Sequence, residues 1–482
     1  MTETFSLKFP RPTGAFFAYL LIFSSAFGCY STGFGDVGMT PINLVTFCLI
    51  PVVLISVMKN GKIPNLTPLG NLNLLFFFIS LTGVLFARSP YGALHGSGGY
   101  LMDYFLCFFF VLYFIRTREE VENAVRLFIF LGIISSIMGT IELTSFFFFG
   151  KAIAPPFVDL FARGTLPKNY GYGPGLYGIP GFVQMYGFFP PTSAAFGSYM
   201  LIPFGLSLYK TVTAKTKKWP WHLLTLTFGI VVLLSMARNA LVGLLALATF
   251  VFLFCRTAKI IFFPYPIVRR TFLLSLFGLA LMLPLYFTRN SLWYDKAEAK
   301  INSQITIGTP VYILRRMNLF IPKSIGGSIV YFLEHASLAT EFGANNFGFG
   351  LGAQNFDDYV YENRNAHWGS HSNYILFLGE TGVWGLLTQI GIVILTAYYG
   401  LNTYYSRSLD RIDHLPLFLT AIYLGFVITG IVRTFYLTPH TFIIMGLITR
   451  LYTLRHPLPD PGSTSSPRRL ASREREVRLD FA

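Results

Sequence analysis

Charged residues are scarce in this sequence. Only 12% of its residues are charged, whereas 53% are hydrophobic and 51 are Phe; soluble proteins carry about 25% charged residues. Long uncharged runs recur from residue 14 to residue 454. They lack the strict alternation of apolar and polar residues that marks a membrane β-strand. Because a backbone in lipid must satisfy its own hydrogen bonds, the sequence predicts an all-α, polytopic membrane protein.

Cysteine is rare too. The chain has four cysteines, all inside apolar runs: Cys29, Cys48, Cys107 and Cys255. A free cysteine in such surroundings behaves as a small hydrophobic side chain. We therefore expect these residues to be buried, and we expect neither disulfides nor a cysteine metal site.

Histidine patterns give little support for a metal site. His367 and His371 are four residues apart, which would bring both imidazoles to one face of a helix. Gly369 and Ser370 between them weaken a helix, and the chain has no His-Glu-x-x-His motif. We expect no metal ion and no other cofactor.

About twelve runs are long and apolar enough to form membrane helices. The first follows Lys8 and Arg11 and lacks a clear small-residue cleavage site, so we expect a transmembrane helix and no cleavable signal peptide. The predicted helices comprise residues 13–31, 42–58, 71–87, 98–115, 127–149, 193–209, 221–237, 239–255, 271–288, 373–399, 415–432 and 438–454.

The distribution of Lys and Arg predicts how the chain is oriented. If the N-terminus is cytoplasmic, the cytoplasmic segments hold most of the 37 basic residues. The positive-inside rule then assigns both termini to the cytoplasm. The net charge of +15 is thereby explained by cytoplasmic loops, and we expect no nucleic-acid partner.

The segments outside these helices differ in length and composition. Residues 150–192 and 289–372 are predicted to be long extracytoplasmic loops, and amphipathic stretches in the second indicate short helices there. Residues 457–482 are polar, basic and rich in Pro and Ser, which predicts a disordered cytoplasmic tail. Residues 1–456 form the predicted integral membrane domain.

Several arginines are predicted at the outer face. Arg238 lies between two predicted helices, Arg433 lies at the outer end of another, and Arg315 and Arg316 lie in the second long loop. Ionisable residues within the membrane or at the ends of its helices commonly have functional roles. Because a guanidinium stays charged and binds phosphate with two hydrogen bonds, these arginines indicate a phosphate or diphosphate ligand.

The same arginines also have structural interpretations. An arginine at a helix end can extend to the interface and anchor the helix. Arg238 and Arg433 could instead pair with buried acids, a purely structural outcome. The acidic residues predicted in or at the ends of helices are Asp103, Glu142 and Glu380.

Three polar or glycine-rich segments occur in a fixed order along the second half of the chain. The first, SMARNALVG at 235–243, contains Arg238. The second, NNFGFGLGAQNF at 345–356, contains three alternating glycines: Gly348, Gly350 and Gly352. In the third, nine residues separate His371-Ser372 from Gly382, and two more separate Gly382 from Gly385.

These segments resemble the O-antigen ligase and O-antigen polymerase family, which comprises bacterial polyprenyl-diphosphate glycan ligases and polymerases. The family signature is His followed by Asn, Ser or Gln, nine residues, Gly, two residues, and Gly, Thr or Tyr. The resemblance covers roughly residues 190–400, and the first 190 residues fit only by topology. The chain lacks an arginine that the family often has before the segment at 186–197; the nearest is Arg163.

The resemblance implies a metal-independent, inverting glycosyltransferase on the outer face of the bacterial cytoplasmic (inner) membrane. It would move a glycan from a polyprenyl-diphosphate carrier to an acceptor hydroxyl. His371 matches the family's proposed general base, Arg238 matches a diphosphate-binding arginine, and Arg315 or Arg316 matches a loop arginine. The implied partners are the lipid-linked donor, a glycan or lipid A core acceptor, the bilayer and other polysaccharide-assembly proteins.

Two alternatives stay open. A transporter or flippase of lipid-linked glycans would share the twelve helices and the outer arginines, although it should also have polar residues along its whole path. The motif glycines, including Gly382 and Gly385, could serve helix packing alone. The sequence does not separate polymerase from ligase, because only the acceptor differs between them.

Overall fold

The fold comes from a computed structural model that describes most of the predicted helical regions. The described residues are 14–27, 32–34, 37–60, 66–149, 193–214, 218–235, 237–257, 323–344, 346–356, 359–360, 372–406, 413–432 and 438–456. The predicted helix at 271–288, the loop at 150–192 and the tail at 457–482 lie outside them.

The described part of the chain is helical apart from one small antiparallel hairpin, β1 (Thr32–Phe34) with β2 (Val37–Met39), in which Thr32 pairs with Met39. The first helices are α1 (Ala15–Ser25), α2 (Pro41–Asn60), α3 (Pro68–Gly83), α4 (Pro90–Gly99), α5 (Leu106–Phe114) and α6 (Arg118–Phe149). The later helices are α7 (Ser193–Tyr199), α8 (Leu201–Thr213), α9 (Lys218–Leu234), α10 (Arg238–Thr257), α11 (Lys323–Ala344), α12 (Asn373–Tyr405), α13 (Leu415–Val432) and α14 (Pro439–Arg455).

The predicted helical fold is confirmed, and several of its helices are long and apolar enough to cross a membrane. Within the described ranges, five helical segments are long and apolar enough to cross a membrane: Pro41–Lys59, Pro68–Phe86, Pro90–Phe114, Arg118–Ile141 and Asn373–Tyr405. Four shorter apolar helices accompany them: Ala15–Ser25, Lys218–Leu234, Asn239–Phe254 and Leu415–Ile431. Large apolar side chains such as Phe47 and Ile394 are more than half exposed, as expected where helices face lipid.

Local signals determine where several helices begin. Thr67 accepts a hydrogen bond from the Gly70 amide at 3.1 Å, and proline follows it at the first helical position of α3. At α6 the Thr117 hydroxyl accepts from the Glu120 amide, and the Glu120 carboxylate accepts from the Thr117 amide at 2.9 Å. This reciprocal capping box starts α6 at Arg118. The predicted start lies nine residues later, because the first turns of the helix are charged and hydropathy does not detect them.

Two predicted helices are interrupted. The helix predicted at 98–115 is α4 and α5 joined by a π-helical segment, Tyr100–Phe105. The helix predicted at 193–209 is divided between α7 and α8 at Met200. The second predicted loop also contains α11, whose 22 residues make it longer than the short helices expected there.

The core is centred on α12, which packs against α3, α11, α13 and α14. Helix α13 also packs closely on α10, because glycines permit the approach. A Cβ at Gly243 would lie 2.5 Å from the Thr429 hydroxyl, and one at Gly425 would lie 3.2 Å from the Gly243 carbonyl. Of the two cysteines with described side chains, Cys107 is buried as expected, whereas Cys48 is exposed because it faces outward from α2.

Candidate functional site

The helix that follows His371-Ser372 is broken in its third turn. Helix α12 begins at Asn373, and Gly382 within it has φ 69° and ψ −166°. Only glycine adopts this backbone conformation without strain. The break therefore divides α12 into a short N-terminal part, which follows the His371-Ser372 motif, and a long C-terminal part.

The glycine-rich segment docks on this break through its backbone. The Leu351 and Gly352 amides donate to the carbonyl oxygens of Gly379 and Glu380, each at 2.9 Å. In an unbroken helix those carbonyls would accept from amides four residues later, beyond Gly382. The segment thus supplies donors to carbonyls at the helix break, and buried carbonyls strongly require such partners.

The motif glycines are necessary for this docking. Gly348, Gly350 and Gly352 all have positive φ, at 84°, 71° and 84°. A Cβ at Gly382 would collide with the Gly348 carbonyl, and one at Gly350 would lie 2.7 Å from the Gly379 carbonyl. Glycines from two segments that are distant in the sequence therefore form one backbone contact, which explains most of the motif structurally.

Gly385 has a different environment from the other motif glycines. It lies in the C-terminal part of α12, where an added Cβ would collide with the Thr381 side chain and lie 3.5 Å from the Phe76 ring. One residue earlier, the Trp384 indole donates to the Phe347 carbonyl at 3.0 Å and adds a side-chain contact to the docked segment. Gly385 thus serves helix packing, whereas the Trp384 side chain helps to hold the glycine-rich segment against α12.

A buried carboxylate lies beside the break. Glu380 is 3% exposed, and its Oε2 accepts a hydrogen bond from the Tyr100 hydroxyl at 2.8 Å. Tyr100 is the first residue of the π-helical segment, a type of irregularity that is frequent at functional sites. The sequence identified Glu380 as an acid in a helix but gave no signal for Tyr100, because the two residues are far apart in the chain.

The same π-helical segment carries a second acid. The Oδ1 atom of Asp103 is buried and has no hydrogen-bond partner among the described residues. The aromatic ring of Tyr104, its neighbour, stacks on Tyr100 and on Phe442 of α14. The segment therefore carries the partly buried Asp103 and, through Tyr100, contacts the buried Glu380. The side chain of Glu142, the third predicted acid, lies outside the description.

Asn373 is a candidate that the sequence analysis did not identify. It is the first residue of α12, two residues after His371, and it is fully buried. Neither atom of its carboxamide has a hydrogen-bond partner within the described part of the chain. Burying an amide without partners costs on the order of 1–3 kcal/mol, so a ligand that pairs with it would recover this cost. The one sequence feature that could have identified Asn373 was its position two residues after His371.

The starts of α10 and α12 lie at the same end of the bundle. The Asn239 carbonyl of α10 accepts from the Thr429 hydroxyl at 3.4 Å. The Tyr374 hydroxyl of α12 donates to the Val427 carbonyl at 3.2 Å. Both contacts fall on one turn of α13, so this turn connects the two helix starts.

In the sequence, several predicted site residues lie at or next to helix ends on this side of the bundle. Arg238 is the first residue of α10, although its side chain lies outside the description. His371 and Arg433 adjoin the described ends of α12 and α13 but are themselves outside the described residues. Arg315 and Arg316 are also outside them, and no described residue indicates where they lie.

The opposite end of the bundle carries a network of basic and acidic side chains. Arg118 bonds Glu122 and Asp413, each at 2.9 Å, and Lys210 bonds Glu122 at 2.6 Å. Helix α14 adds Arg455, whose Nη1 donates to the Thr403 carbonyl at 2.8 Å. The basic side chains at this end are therefore separated from the motif by the length of the bundle.

Metal-ligating residues do not cluster in the described ranges, where no group of three or more His, Cys, Asp or Glu could hold a metal ion. Comparison with known proteins adds no assignment. No protein-family model matches the chain, and no curated protein matches it either.

Proposed function

We propose that the protein is a membrane glycosyltransferase that moves a glycan from a polyprenyl-diphosphate carrier to an acceptor hydroxyl. The observation that carries this proposal is the docking of the glycine-rich segment on the broken motif helix, with Leu351 and Gly352 bonded to the carbonyls of Gly379 and Glu380. Two of the three segments that resemble O-antigen ligases and polymerases thus form one unit. The third begins α10, whose start lies at the same end of the bundle.

The proposed topology has about twelve membrane helices with both termini in the cytoplasm of a bacterial cell. The basic network around Arg118 and Arg455 lies at the bundle end opposite the motif. The positive-inside rule assigns that basic end to the cytoplasm. The motif end then faces outward, where a lipid-linked glycan would be presented.

The proposed reaction needs a base that accepts the acceptor's proton and cations that neutralise the leaving diphosphate. The acceptor hydroxyl attacks the anomeric carbon while His371 accepts its proton, since an imidazole with a pKa near 6.5 is a suitable base at neutral pH. The carbon–oxygen bond to the lipid diphosphate breaks on the opposite face, so the configuration inverts. Arg238, with Arg433, Arg315 or Arg316, neutralises the departing diphosphate.

Two features of the described residues support these roles for a base and for cations. Arg238 is the first residue of α10, where the amides of the first turn and the helix dipole add positive potential for an anion. Asn373 offers a buried carboxamide donor and acceptor two residues after His371. In the proposed complex, Asn373 hydrogen-bonds a sugar hydroxyl near the reacting carbon.

The test is glycan transfer by purified protein with a synthetic polyprenyl-diphosphate donor and a soluble acceptor. His371→Ala should lower the transfer rate by about 10²–10⁴-fold, the usual contribution of a general base. His367→Ala, the same substitution four residues earlier, should retain transfer. Full activity of the His371→Ala protein would refute the proposed role.

A second candidate, a transporter or flippase of lipid-linked glycans, is favoured by a different observation. Gln389 in the middle of α12 is fully buried, and neither atom of its amide has a partner among the described residues. Gln389 thus places a buried polar group in the middle of α12, beyond the motif end. Donor movement across proteoliposomes without any acceptor would favour this candidate, whereas a covalent product would favour the transferase.

A further inference from the structure

The basic end of the bundle contains a cavity far from the motif. Its volume is about 210 Å³, and its lining residues are Arg118, Thr403, Asp413, Leu451, Leu454 and Arg455. A water molecule in the liquid occupies only about 30 Å³. The cavity therefore has room for a phosphate group.

The described charged residues of the lining, two arginines and one aspartate, carry a net positive charge. Asp413 pairs with Arg118 and also accepts from the Leu415 amide at 3.1 Å, so its charge is compensated. Arg455 forms no ion pair with any described residue, and the hydrogen bond from its Nη1 goes to the neutral Thr403 carbonyl. No described carboxylate therefore compensates the charge of the Arg455 guanidinium, which favours an anion in the cavity.

An unused donor is also present. The Nη2 atom of Arg118 bonds both Glu122 and Asp413, but its Nη1 atom is buried and has no hydrogen-bond partner within the described ranges. Buried donors without partners are rare in proteins. Because Arg118 and Arg455 line the same cavity, a single anion could bond to both guanidiniums.

The remaining walls suit an anion that is attached to a lipid. Leu451 is buried, whereas Leu454 is 40% exposed at the edge of the cavity. Exposed tyrosines of α12, Tyr398 and Tyr405, lie in the last two turns before the same end. Tyrosine is enriched at the level of lipid head groups, so the cavity lies where a phospholipid would present its phosphate.

We propose that this cavity binds the phosphate of an anionic phospholipid, with Arg118 and Arg455 bonding the phosphate oxygens and the leucines contacting the start of the acyl chains. Basic pockets between membrane helices are known to bind such head groups. The site is independent of the proposed glycan transfer, because it lies at the opposite end of the bundle.

The experiment measures lipid binding by the full-length protein in detergent. The melting midpoint is followed during titration with phosphatidylglycerol, with phosphatidylcholine and, separately, with inorganic phosphate. Phosphatidylglycerol should raise the midpoint saturably, and the other two should not. An equal effect of inorganic phosphate would overturn the lipid assignment and indicate a free anion site.

Variants localise the effect to the cavity. Arg455→Gln should weaken the apparent affinity for phosphatidylglycerol by about tenfold, as expected for one lost hydrogen bond between charged groups. Arg126→Gln removes the same charge from an exposed arginine of α6 that bonds only Asn123 in the described structure, and it should bind like wild type. Equal affinities for these two variants would overturn the proposal.

A conservative variant keeps the test valid if Arg455→Gln does not fold. Arg455→Lys keeps the charge but loses the planar fork that binds two phosphate oxygens. It should weaken phosphatidylglycerol binding several-fold. Wild-type affinity of Arg455→Lys, together with a Gln variant that does not fold, would count against a guanidinium–phosphate contact.

Discussion

Replacement of Gly382 by alanine tests the docking of the glycine-rich segment on α12. The change has two costs. Gly382 has φ 69° and ψ −166°, and holding alanine there costs on the order of 1–3 kcal/mol. The added Cβ would also collide with the Gly348 carbonyl, which would displace the two amides that bond Gly379 and Glu380. Two lost hydrogen bonds add about 1–3 kcal/mol, so the expected destabilisation is roughly 2–6 kcal/mol.

A matched substitution exists on the same helix. An alanine Cβ at Gly391 would meet only the Leu72 side chain, at 3.6 Å, and Gly391 has no positive φ. Gly391→Ala should therefore be neutral or should stabilise by up to about 1 kcal/mol. The assay is reversible unfolding of purified protein in detergent, combined with hydrogen exchange of the Leu351 and Gly352 amides. The reasoning fails if Gly382→Ala unfolds at the same point as Gly391→Ala and both amides stay protected.

The remaining predictions concern the buried polar groups and Arg238. Tyr100→Phe removes the donor to Glu380 and should lower stability by about 1.5–3 kcal/mol in an unfolding titration, because a buried carboxylate loses a hydrogen bond; unchanged stability would contradict the role of this bond. Asn373→Leu removes a buried amide without partners in the described chain, so stability should be retained or raised while glycan transfer falls by about tenfold or more; unchanged transfer would exclude Asn373 from the site. Arg238→Ala should weaken donor binding in a titration with the polyprenyl-diphosphate glycan, and Arg238→Lys should restore it only in part; wild-type donor affinity in both variants would remove Arg238 from the diphosphate site.

Hydropathy predicted the location of most helices but not their irregularities. The helix predicted at 415–432 has the same bounds as α13, because its residues are uniformly apolar. The break at Gly382 and the π-helical segment Tyr100–Phe105 lie inside apolar runs, where hydropathy does not change. Both contact residues that are distant in the sequence, namely Leu351 and Gly352 at the break and Glu380 at Tyr100, and no local pattern reveals such contacts.

The candidate site was predicted in part. The sequence indicated the motif glycines and put Arg238 at a helix boundary, which agrees with the start of α10. It did not reveal that Gly348 and Gly382 contact each other, because a glycine's partner is defined only by the fold. Asn373 was missed because only the fold shows that its amide is buried and has no partner among the described residues.

The central claim is covalent glycan transfer, and a measurement in detergent micelles tests it most directly. Micelles have no separate compartments, so a transporter could produce no chemical change in them. Wild-type protein given a radiolabelled polyprenyl-diphosphate glycan and an acceptor should move the label to the acceptor and release polyprenyl diphosphate in equal amount. Quantitative recovery of the unreacted donor, from protein that remains folded, would contradict the account.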